Sequence, residues 1–342
     1  MKKLVCFIFI LGLAVSFVFA GGSKEKQAAG KIVIYTSMYP DVIEAVQKDL
    51  SRQFPKCNIE FFYGGTGILQ ARIDAEKASG RLGCDILLVA EPAYSMELKE
   101  NGMLHAYTSK EASNLAFTYD PDGYWYPVRI SNMVLAYNPE RHAKNTLPPS
   151  FHDLGIDTSV RGAISMRNPL VSGTTMATIT ALKDKYGYEY FDALGRQRVQ
   201  IDYGADETLR KLENGECKVV MILEESILRK RQMENAKLEI MYPADGAIVI
   251  PSTIMIINDR WNANKNTRAA EAISEWFLGP EGQNAIVNGW MHSVRTDFPQ
   301  IPHGSIPITA IQSNSMPVHW ENVFRQRQEI RRNFEERVSS RR

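Results

Sequence analysis

Two segments rich in glycine and hydroxyl residues carry groups that could bind an anion. Ser172, Gly173 and Thr174 open a segment whose pattern predicts a helix. The N-terminus of a helix has free N–H groups and the positive end of the helix dipole, so it attracts anions. Hydroxyls add hydrogen-bond donors, and glycine lets an anion approach the backbone. Because Ser and Thr also make ordinary N-caps, the residues by themselves leave both interpretations open.

The second segment, residues 64–67, reads Gly-Gly-Thr-Gly between a predicted strand and a predicted helix. It lacks the Gly-Lys-Ser/Thr ending of a P-loop, so nucleotide hydrolysis is not indicated. The glycines indicate either a tight turn or a second anion contact through Thr66 and the backbone at Gly67. Ser37, which follows the first predicted strand, is a further candidate contact.

Three charged residues lie in or directly after apolar segments. Glu224 and Glu225 follow a predicted buried strand, where they could accept hydrogen bonds from sugar hydroxyls or pair with a ligand amine. Acidic residues are also favoured in the first turn of a helix, so a purely structural role stays open for both. Arg129 lies in a long apolar, β-rich stretch, where it could neutralise an anion or a buried acid.

The sequence lacks the common arrangements of catalytic and metal-binding residues. It has no Gly-x-Ser-x-Gly, no His-Glu-x-x-His and no Cys-x-x-Cys, and its 6 histidines are scattered. We therefore expect a protein that is not an enzyme and needs no cofactor. Cys57, Cys84 and Cys217 follow the predicted signal peptide, and their odd number excludes a fully paired disulfide framework. We expect three buried free thiols.

The elements that position these residues alternate along the chain. Over residues 31–89, short apolar strands alternate with helical periodicity in the order β-α-β-α-β, which predicts a parallel sheet with right-handed crossovers. A second set of strands and helices follows after residue 160. Ligands in such sheets bind beyond the carboxyl ends of the strands, which is where Ser37, Thr66 and Glu224 fall.

Two long apolar stretches, near residues 128–137 and 248–257, join the two sets of elements. We therefore predict the α/β class with two lobes, each a mostly parallel sheet flanked by helices, and two strands that cross between them. A cleft then lies between the lobes, above a hinge. The predicted divisions are an N-lobe of residues 31–127 plus about 256–292, a C-lobe of residues 128–255, and a C-terminal segment of residues 293–342 that packs on a lobe.

The N-terminus has the layout of a secretory signal peptide. A basic start, an apolar run and small residues before a cut after Ala20 predict cleavage of residues 1–20, and residues 21–30 read as a flexible leader. The residue after the cut is glycine, so we expect no lipid anchor. These features predict a protein exported to the periplasm.

The balance of charge restricts the kinds of partner. The 342 residues include 40 Lys+Arg and 39 Asp+Glu, for a net charge of +1. Removal of Lys2 and Lys3 with the predicted signal peptide changes +1 to −1. Nucleic acid is therefore excluded as the main partner, because its binding requires a strong basic excess. Any affinity for an anion must be local, from helix ends and hydroxyls.

Four segments together resemble a known family. Residues 62–76, Phe-Tyr-Gly-Gly-Thr-Gly-Ile-Leu-Gln-Ala-Arg-Ile-Asp-Ala-Glu, resemble the second-strand segment of periplasmic solute-binding proteins of ABC importers. The branch is the one with ferric-ion, thiamine, aminoethylphosphonate and hexose-phosphate receptors. Residues 126–138 resemble its inter-lobe strand, residues 168–174 its Asn-Pro-x-x-Ser-Gly segment, and residues 269–283 its return helix. The resemblance spans about residues 31–300, in the right order.

The resemblance implies a periplasmic-binding-protein fold and a monomeric receptor that closes around a small anionic solute. Such a receptor delivers its solute to an ABC permease in the inner membrane. In the family, the segment that matches residues 172–174 contacts an anion or phosphate group. We therefore expect a phosphorylated sugar or a phosphonate, bound by Ser37, Thr66, Gly67, Arg129, Ser172, Gly173, Thr174, Glu224 and Glu225.

Ferric ion is the alternative ligand within the same family. Ferric receptors of this family carry adjacent tyrosines at about the place of Glu225 and Ser226, and this sequence departs from that pattern. Carboxylates and other phenols could still ligate a hard cation. The alternative ligand set is Tyr39, Tyr203, Glu224 and Glu225, with Tyr242 as a further candidate.

Overall fold

The computed structural model describes residues 28–341. The predicted signal peptide and residues 21–27 of the predicted leader lie outside the described residues. The strands are β1 Gly30–Thr36, β2 Cys57–Tyr63, β3 Ile86–Ala90, β4 Leu104–His105, β5 Trp125–Tyr137, β6 Ile164–Arg167, β7 Gln200–Asp202, β8 Val219–Leu223, β9 Glu239–Met241, β10 Ala247–Ile257 and β11 Ser315–Met316.

The helices are α1 Pro40–Gln53, α2 Thr66–Ala78, α3 Pro92–Glu100, α4 Phe151–Ile156, α5 Gly173–Tyr186, α6 Glu189–Arg196, α7 Ala205–Asn214, α8 Glu224–Glu234, α9 Thr267–Leu278, α10 Pro280–Asn288, α11 Ile308–Gln312, α12 Trp320–Arg325 and α13 Arg327–Arg337. None of these helices combines the length and the apolar character that a membrane span requires.

The strands pair in the order β2-β1-β3-β10-β5-β8-β6-β7, with β4 and β11 beside β10 and β9 beside β5. β1, β2 and β3 are mutually parallel, and so are β6, β7 and β8. The predicted α/β class with mostly parallel strands in each lobe is confirmed, although the strands of both lobes join in one 11-stranded sheet. We call the part around β1–β3 the first lobe and the part around β6–β8 the second lobe.

The antiparallel strands β5 and β10 cross from one lobe to the other. β5 pairs with β10 along most of its length, and its later half, Met133 to Ala136, pairs with β8 of the second lobe. The later half of β10, from Ser252, pairs with β3 of the first lobe. All of β5 is buried. The register shifts between Ser252 and Thr253, where Val128 of β5 is left out of the pairing beside Pro127, which has no N–H to donate.

Each lobe has its own apolar core. In the first lobe, Ile34, Leu88 and the buried face of α1 pack together with α9 and α10. In the second lobe, residues of β6, β8 and the helices α5 and α6 form the largest cluster. Val323, Ile330 and Phe334 of the C-terminal helices belong to this second cluster. The predicted division of the chain at residues 127 and 255 stays a prediction.

Among residues 28–341 the cysteines are Cys57, Cys84 and Cys217, and all three are free. Cys84 and Cys217 are buried, as predicted, but Cys57 is only partly buried. The prediction was wrong there because Cys57 begins β2, which lies at the edge of the sheet. β1 separates β2 from β3, which keeps Cys57 and Cys84 apart.

Candidate functional site

One cavity lies between the lobes, at the carboxyl ends of five strands. Ser37 follows β1, and Tyr63, Ala90, Arg167 and Leu223 are the last residues of β2, β3, β6 and β8. The remaining lining residues are Tyr39, Gly65, Thr66, Arg129, Ser131, Ser172, Gly173, Thr174 and Glu225. The strands of both lobes therefore point their carboxyl ends at one space, as open α/β sheets do around a ligand.

Two guanidinium groups face this cavity. Arg129 comes from the crossing strand β5, is 3% exposed, and donates from Nη2 to Ser37 Oγ at 3.0 Å. Burial lowers the pKa of Arg129, and the nearby Glu225 acts in the opposite direction. Arg167 lies at the end of β6 in the second lobe. The Nε atoms of both arginines and Oγ1 of Thr66 are buried without a hydrogen-bond partner.

The hydroxyls of the second lobe come from the N-terminus of α5. Ser172 Oγ accepts a hydrogen bond from the backbone N–H of Thr175 at 3.2 Å, so Ser172 is the N-cap. Ser172 and Thr174 hydroxyls are 3.0 Å apart, and both residues also line the cavity. Ser172 therefore caps the 14-residue helix α5, and the first turn of this helix also lines the cavity. The N-cap interpretation and the ligand-contact interpretation are thus compatible.

The glycines of both segments allow the lobes to approach. Gly65 and Gly67 have no left-handed backbone conformation, so a tight turn does not explain them. A Cβ atom at Gly65 would overlap the carbonyl oxygen of Val171 in the opposite lobe. A Cβ atom at Gly173 would lie 2.8 Å from Cβ and Oγ1 of Thr66. Gly67 itself does not line the cavity but contacts the opposite lobe beside it.

The two adjacent glutamates of α8 have different surroundings. Glu225 lines the cavity, is 2% exposed, and accepts a hydrogen bond from Ser131 Oγ at 2.6 Å. Burial raises the pKa of Glu225 to about 7, although Ser131 and the charge of Arg129 act in the opposite direction. Burial and the charge of Glu225 raise the pKa of Tyr39, also at the cavity, to about 12.

Glu224 lies outside the cavity lining, in a buried network behind it. It accepts hydrogen bonds from Asn132 at 2.7 Å, Tyr242 at 2.5 Å and Ser305 at 2.5 Å, and it lies 3.1 Å from His292 Nε2. Burial acts against ionisation, but His292, Ser305 and Tyr242 together lower the pKa of Glu224. Ser305 and Glu224 both meet the same ring nitrogen of His292, so they do not form a hydrolase relay, which uses both nitrogens.

The structure brings together most of the predicted ligand contacts. Those that share the cavity are Ser37, Thr66, Arg129, Ser172, Gly173, Thr174 and Glu225. Of the alternative ferric set, Tyr39 and Glu225 line the cavity, whereas Tyr203 is 69% exposed elsewhere and Tyr242 contacts Glu224. Sequence reasoning missed Tyr63, Ser131 and Arg167. Tyr63 and Arg167 could have been found from their position at predicted strand ends.

The cavity is small because the lobes touch around it. Arg229 of α8 donates to Asp41 of α1 at 2.6 Å, and the hydroxyls of Tyr39 and Ser226 are 2.5 Å apart. The cavity has a volume of about 30 Å³. That is room for roughly two or three waters.

The sequence matches the model of the bacterial extracellular solute-binding protein family over residues 84–305. The chain belongs to this family. The family predicted from sequence motifs is therefore confirmed. No curated protein sequence matches the chain.

Solved structures share the fold of this solute-binding protein over nearly its whole length. Iron-bound HitA from Pseudomonas aeruginosa is 19% identical, with a TM-score of 0.78 over 89% of this chain and 99% of its own. The periplasmic binding protein AfuA from Actinobacillus pleuropneumoniae, with fructose-6-phosphate bound, is 21% identical, with a TM-score of 0.78 over 91% and 99%. An ABC transporter substrate-binding protein from Agrobacterium tumefaciens is 15% identical, with a TM-score of 0.80 over 93% and 96%. These likenesses establish the two-lobed periplasmic-binding-protein fold.

Proposed function

We propose that the protein is exported to the periplasm, where it captures a phosphorylated sugar or a phosphonate in the inter-lobe cavity and delivers it, as a monomer, to an ABC permease. The main support for this proposal is that two guanidinium groups and four hydroxyls line the same buried cavity. Those residues are Arg129, Arg167, Ser37, Thr66, Ser172 and Thr174.

Unpaired donors in the cavity support an anionic ligand. Arg129 Nε, Arg167 Nε and Thr66 Oγ1 are buried, and none of them has a hydrogen-bond partner among residues 28–341. Leaving such a group unsatisfied costs about 1–3 kcal/mol, and more when the group is charged. The three oxygens of a phosphate or phosphonate group would accept from these donors, and arginine is the side chain best suited to that geometry.

The local charge supports the same ligand. Arg129 and Arg167 bring two positive charges to the cavity, whereas Glu225 is the only acidic side chain that lines it in the part of the chain that the structure describes. Burial raises the pKa of Glu225 to about 7, so it is only partly ionised at neutral pH. The cavity is therefore positive although the chain as a whole is nearly neutral. This local excess attracts an anion in a space where little water screens it.

A ferric ion is the second candidate, because Tyr39, Tyr63 and Glu225 bring three hard oxygen donors to the same cavity. Two observations disfavour it. Arg129 and Arg167 repel a cation unless an anion binds beside it, and Tyr39 has a pKa of about 12, so the phenolate is costly to form. Among residues 28–341, no group of three or more His, Cys, Asp or Glu side chains is placed to hold a metal ion.

The proposal is tested by thermal unfolding and calorimetry with fructose 6-phosphate, 2-aminoethylphosphonate and ferric citrate, with fructose as the control that lacks the anion. A ligand present at a hundred times its dissociation constant stabilises the folded state by about 2.7 kcal/mol. We expect stabilisation by one of the phosphorus compounds and none by fructose. A response to ferric citrate alone, with a visible charge-transfer band, would replace the proposal by the ferric alternative.

A further inference from the structure

The two C-terminal helices are anchored in the second lobe. Val323 of α12 and Ile330 and Phe334 of α13 are fully or almost fully buried in its core. The ring of Phe334 meets that of Phe191 of α6 at 5.4 Å between centroids. Arg337 donates to Asp192 of the same helix α6 at 2.6 Å. One face of the C-terminal helices is therefore part of the second lobe.

Arginines of the same two helices also contact the first lobe. Arg327 donates from Nη1 to Glu97 at 2.6 Å and from Nη2 to Glu91 at 3.2 Å. Arg325 pairs with Glu100, with Nη1 donating to Oε2 at 2.9 Å. The three glutamates lie on α3 or directly before it, and Tyr94 and Leu98 of α3 belong to the core of the first lobe. Two arginines of the second lobe thus bind three acids of the first.

A further contact reaches the helix that carries the glycine-rich loop. Arg331 Nη2 donates to Gln70 Oε1 at 3.4 Å. Gln70 lies one helical turn after Thr66, which lines the cavity. The C-terminal helices therefore contact the first lobe at α2 as well as at α3, outside the ligand cavity itself.

The ion pair at the centre of this contact is shielded from water. Arg327 is 6% exposed and Glu91 is 1% exposed, whereas Arg325 and Glu100 are about half exposed. Exposed pairs contribute little, but breaking a buried pair leaves an uncompensated charge and is strongly unfavourable. The backbone N–H of Glu91 also donates to the carbonyl oxygen of Pro251, where β10 crosses between the lobes. The buried pair therefore lies beside the crossing strand β10.

We infer that α12 and α13 form a C-terminal latch, in which Arg325, Arg327 and Arg331 hold Glu91, Glu97, Glu100 and Gln70 and so stabilise contact between the lobes from outside the cavity. Movement of the lobes apart must separate these arginines from the first lobe or pull the apolar face of the helices out of the second. If the protein binds a solute in the cleft, as proposed above, the latch also strengthens binding. It does so because apparent affinity scales with the fraction of molecules in the binding-competent state.

The test uses paired substitutions that leave no buried charge alone. Arg327→Gln combined with Glu91→Gln removes the central pair, and Arg337→Gln, which breaks an ion pair within the second lobe, is the matched control. We expect small-angle X-ray scattering, without added solute, to give a larger radius of gyration for the double variant than for the wild type and the control. With fructose 6-phosphate as the probe, we expect the double variant to bind about two- to ten-fold more weakly.

A charge exchange at the exposed pair gives an independent measurement if the first variant does not fold. Arg325→Glu should increase the radius of gyration, and addition of Glu100→Arg should reverse the increase. Unchanged scattering in both experiments, or a lower unfolding temperature with unchanged scattering, would overturn the latch. Failure of fructose 6-phosphate to bind any variant would exclude this sugar phosphate as the ligand and would not affect the latch, which is tested by the scattering alone.

Discussion

The backbone N–H of Gly67 donates a hydrogen bond to the carbonyl oxygen of Val171 at 3.3 Å. This bond joins the first turn of α2 in the first lobe to the loop before α5 in the second. A Cβ atom at Gly67 would lie 3.0 Å from Val171 Cα and would overlap the carbonyl oxygen of Leu170. The lobes can meet beside the cavity because residue 67 has no side chain.

Gly67→Ala should therefore weaken solute binding without unfolding the protein. The added methyl group holds the lobes apart, whereas alanine is favoured over glycine in a helix by about 1 kcal/mol. We expect an affinity at least about ten-fold lower, measured by calorimetry, with an unfolding temperature equal to or above that of the wild type. Gly204→Ala is the control, because nothing lies within 4 Å of its added Cβ. Wild-type affinity in Gly67→Ala would show that this close approach is not needed for binding.

Removal of the Arg167 guanidinium should reduce affinity for an anion while the fold is retained. A hydrogen bond to a charged group contributes about 1.5–3 kcal/mol, so Arg167→Gln should weaken binding of the phosphorus ligand by about ten- to a hundred-fold. Arg161→Gln, at an exposed position in the same lobe, should bind as the wild type does. If both variants bind equally well, Arg167 does not contact the ligand.

The ionisation of Glu225 should make stability depend on pH. Burial raises its pKa in the folded protein to about 7 from an ordinary value of 4.5, so the folded state holds the proton more tightly than the unfolded state. Its contribution to stability is therefore complete below about pH 4.5 and is lost as the pH rises through about 7, by an amount on the order of 3 kcal/mol. Denaturant unfolding of the wild type and Glu225→Gln at pH 5 and pH 8 measures this contribution. We expect the glutamine variant to gain stability relative to the wild type at pH 8. If the difference in stability between the two proteins is the same at pH 5 and pH 8, the raised pKa is contradicted.

The same group should give opposite pH effects for the two candidate ligands. Loss of the proton from Glu225 places a negative charge beside the ligand, which weakens binding of an anion and strengthens binding of a cation. Relative to Glu225→Gln, the wild type should lose affinity for fructose 6-phosphate between pH 6 and pH 8. Calorimetry at pH 6 and pH 8 measures the affinities of the two proteins. Because the ligand is the same for both, the effect of the phosphate's own titration cancels when they are compared. A relative gain in affinity for fructose 6-phosphate over this range would contradict the position of Glu225 beside the bound anion.

Glu224→Gln should affect stability rather than binding. Glu224 holds Asn132, Tyr242, His292 and Ser305 in the buried network and does not line the cavity. A neutral amide cannot satisfy all four partners, so we expect a loss of about 2–4 kcal/mol in the free energy of unfolding. Below its unfolding transition, the variant should bind the phosphorus ligand within about three-fold of the wild type. A large loss of affinity with little loss of stability would show that Glu224 contributes to ligand binding.

Local patterns in the sequence were sufficient for the architecture and for much of the site. Alternating strands and helices identified the parallel sheets, because the hydrophobic period is a property of each segment alone. The rule that ligands lie at the carboxyl ends of strands then located Ser37, Thr66 and the segment around Ser172. The same rule, applied to the last residues of β2 and β6, also locates Tyr63 and Arg167.

The sequence by itself determined the α/β class, the crossing strands and the family, and it predicted that Ser37, Thr66 and the segment around Ser172 lie at the strand ends. Only the tertiary structure decided which groups face the cavity. Successive residues of a helix differ in direction by about 100°, so Glu225 meets the cavity and Glu224 a buried network. The tertiary structure also decided that the C-terminal helices contact both lobes. The contact between Arg327 and Glu91, for example, joins residues that are 236 positions apart in the chain. No local pattern reports such a distant pairing.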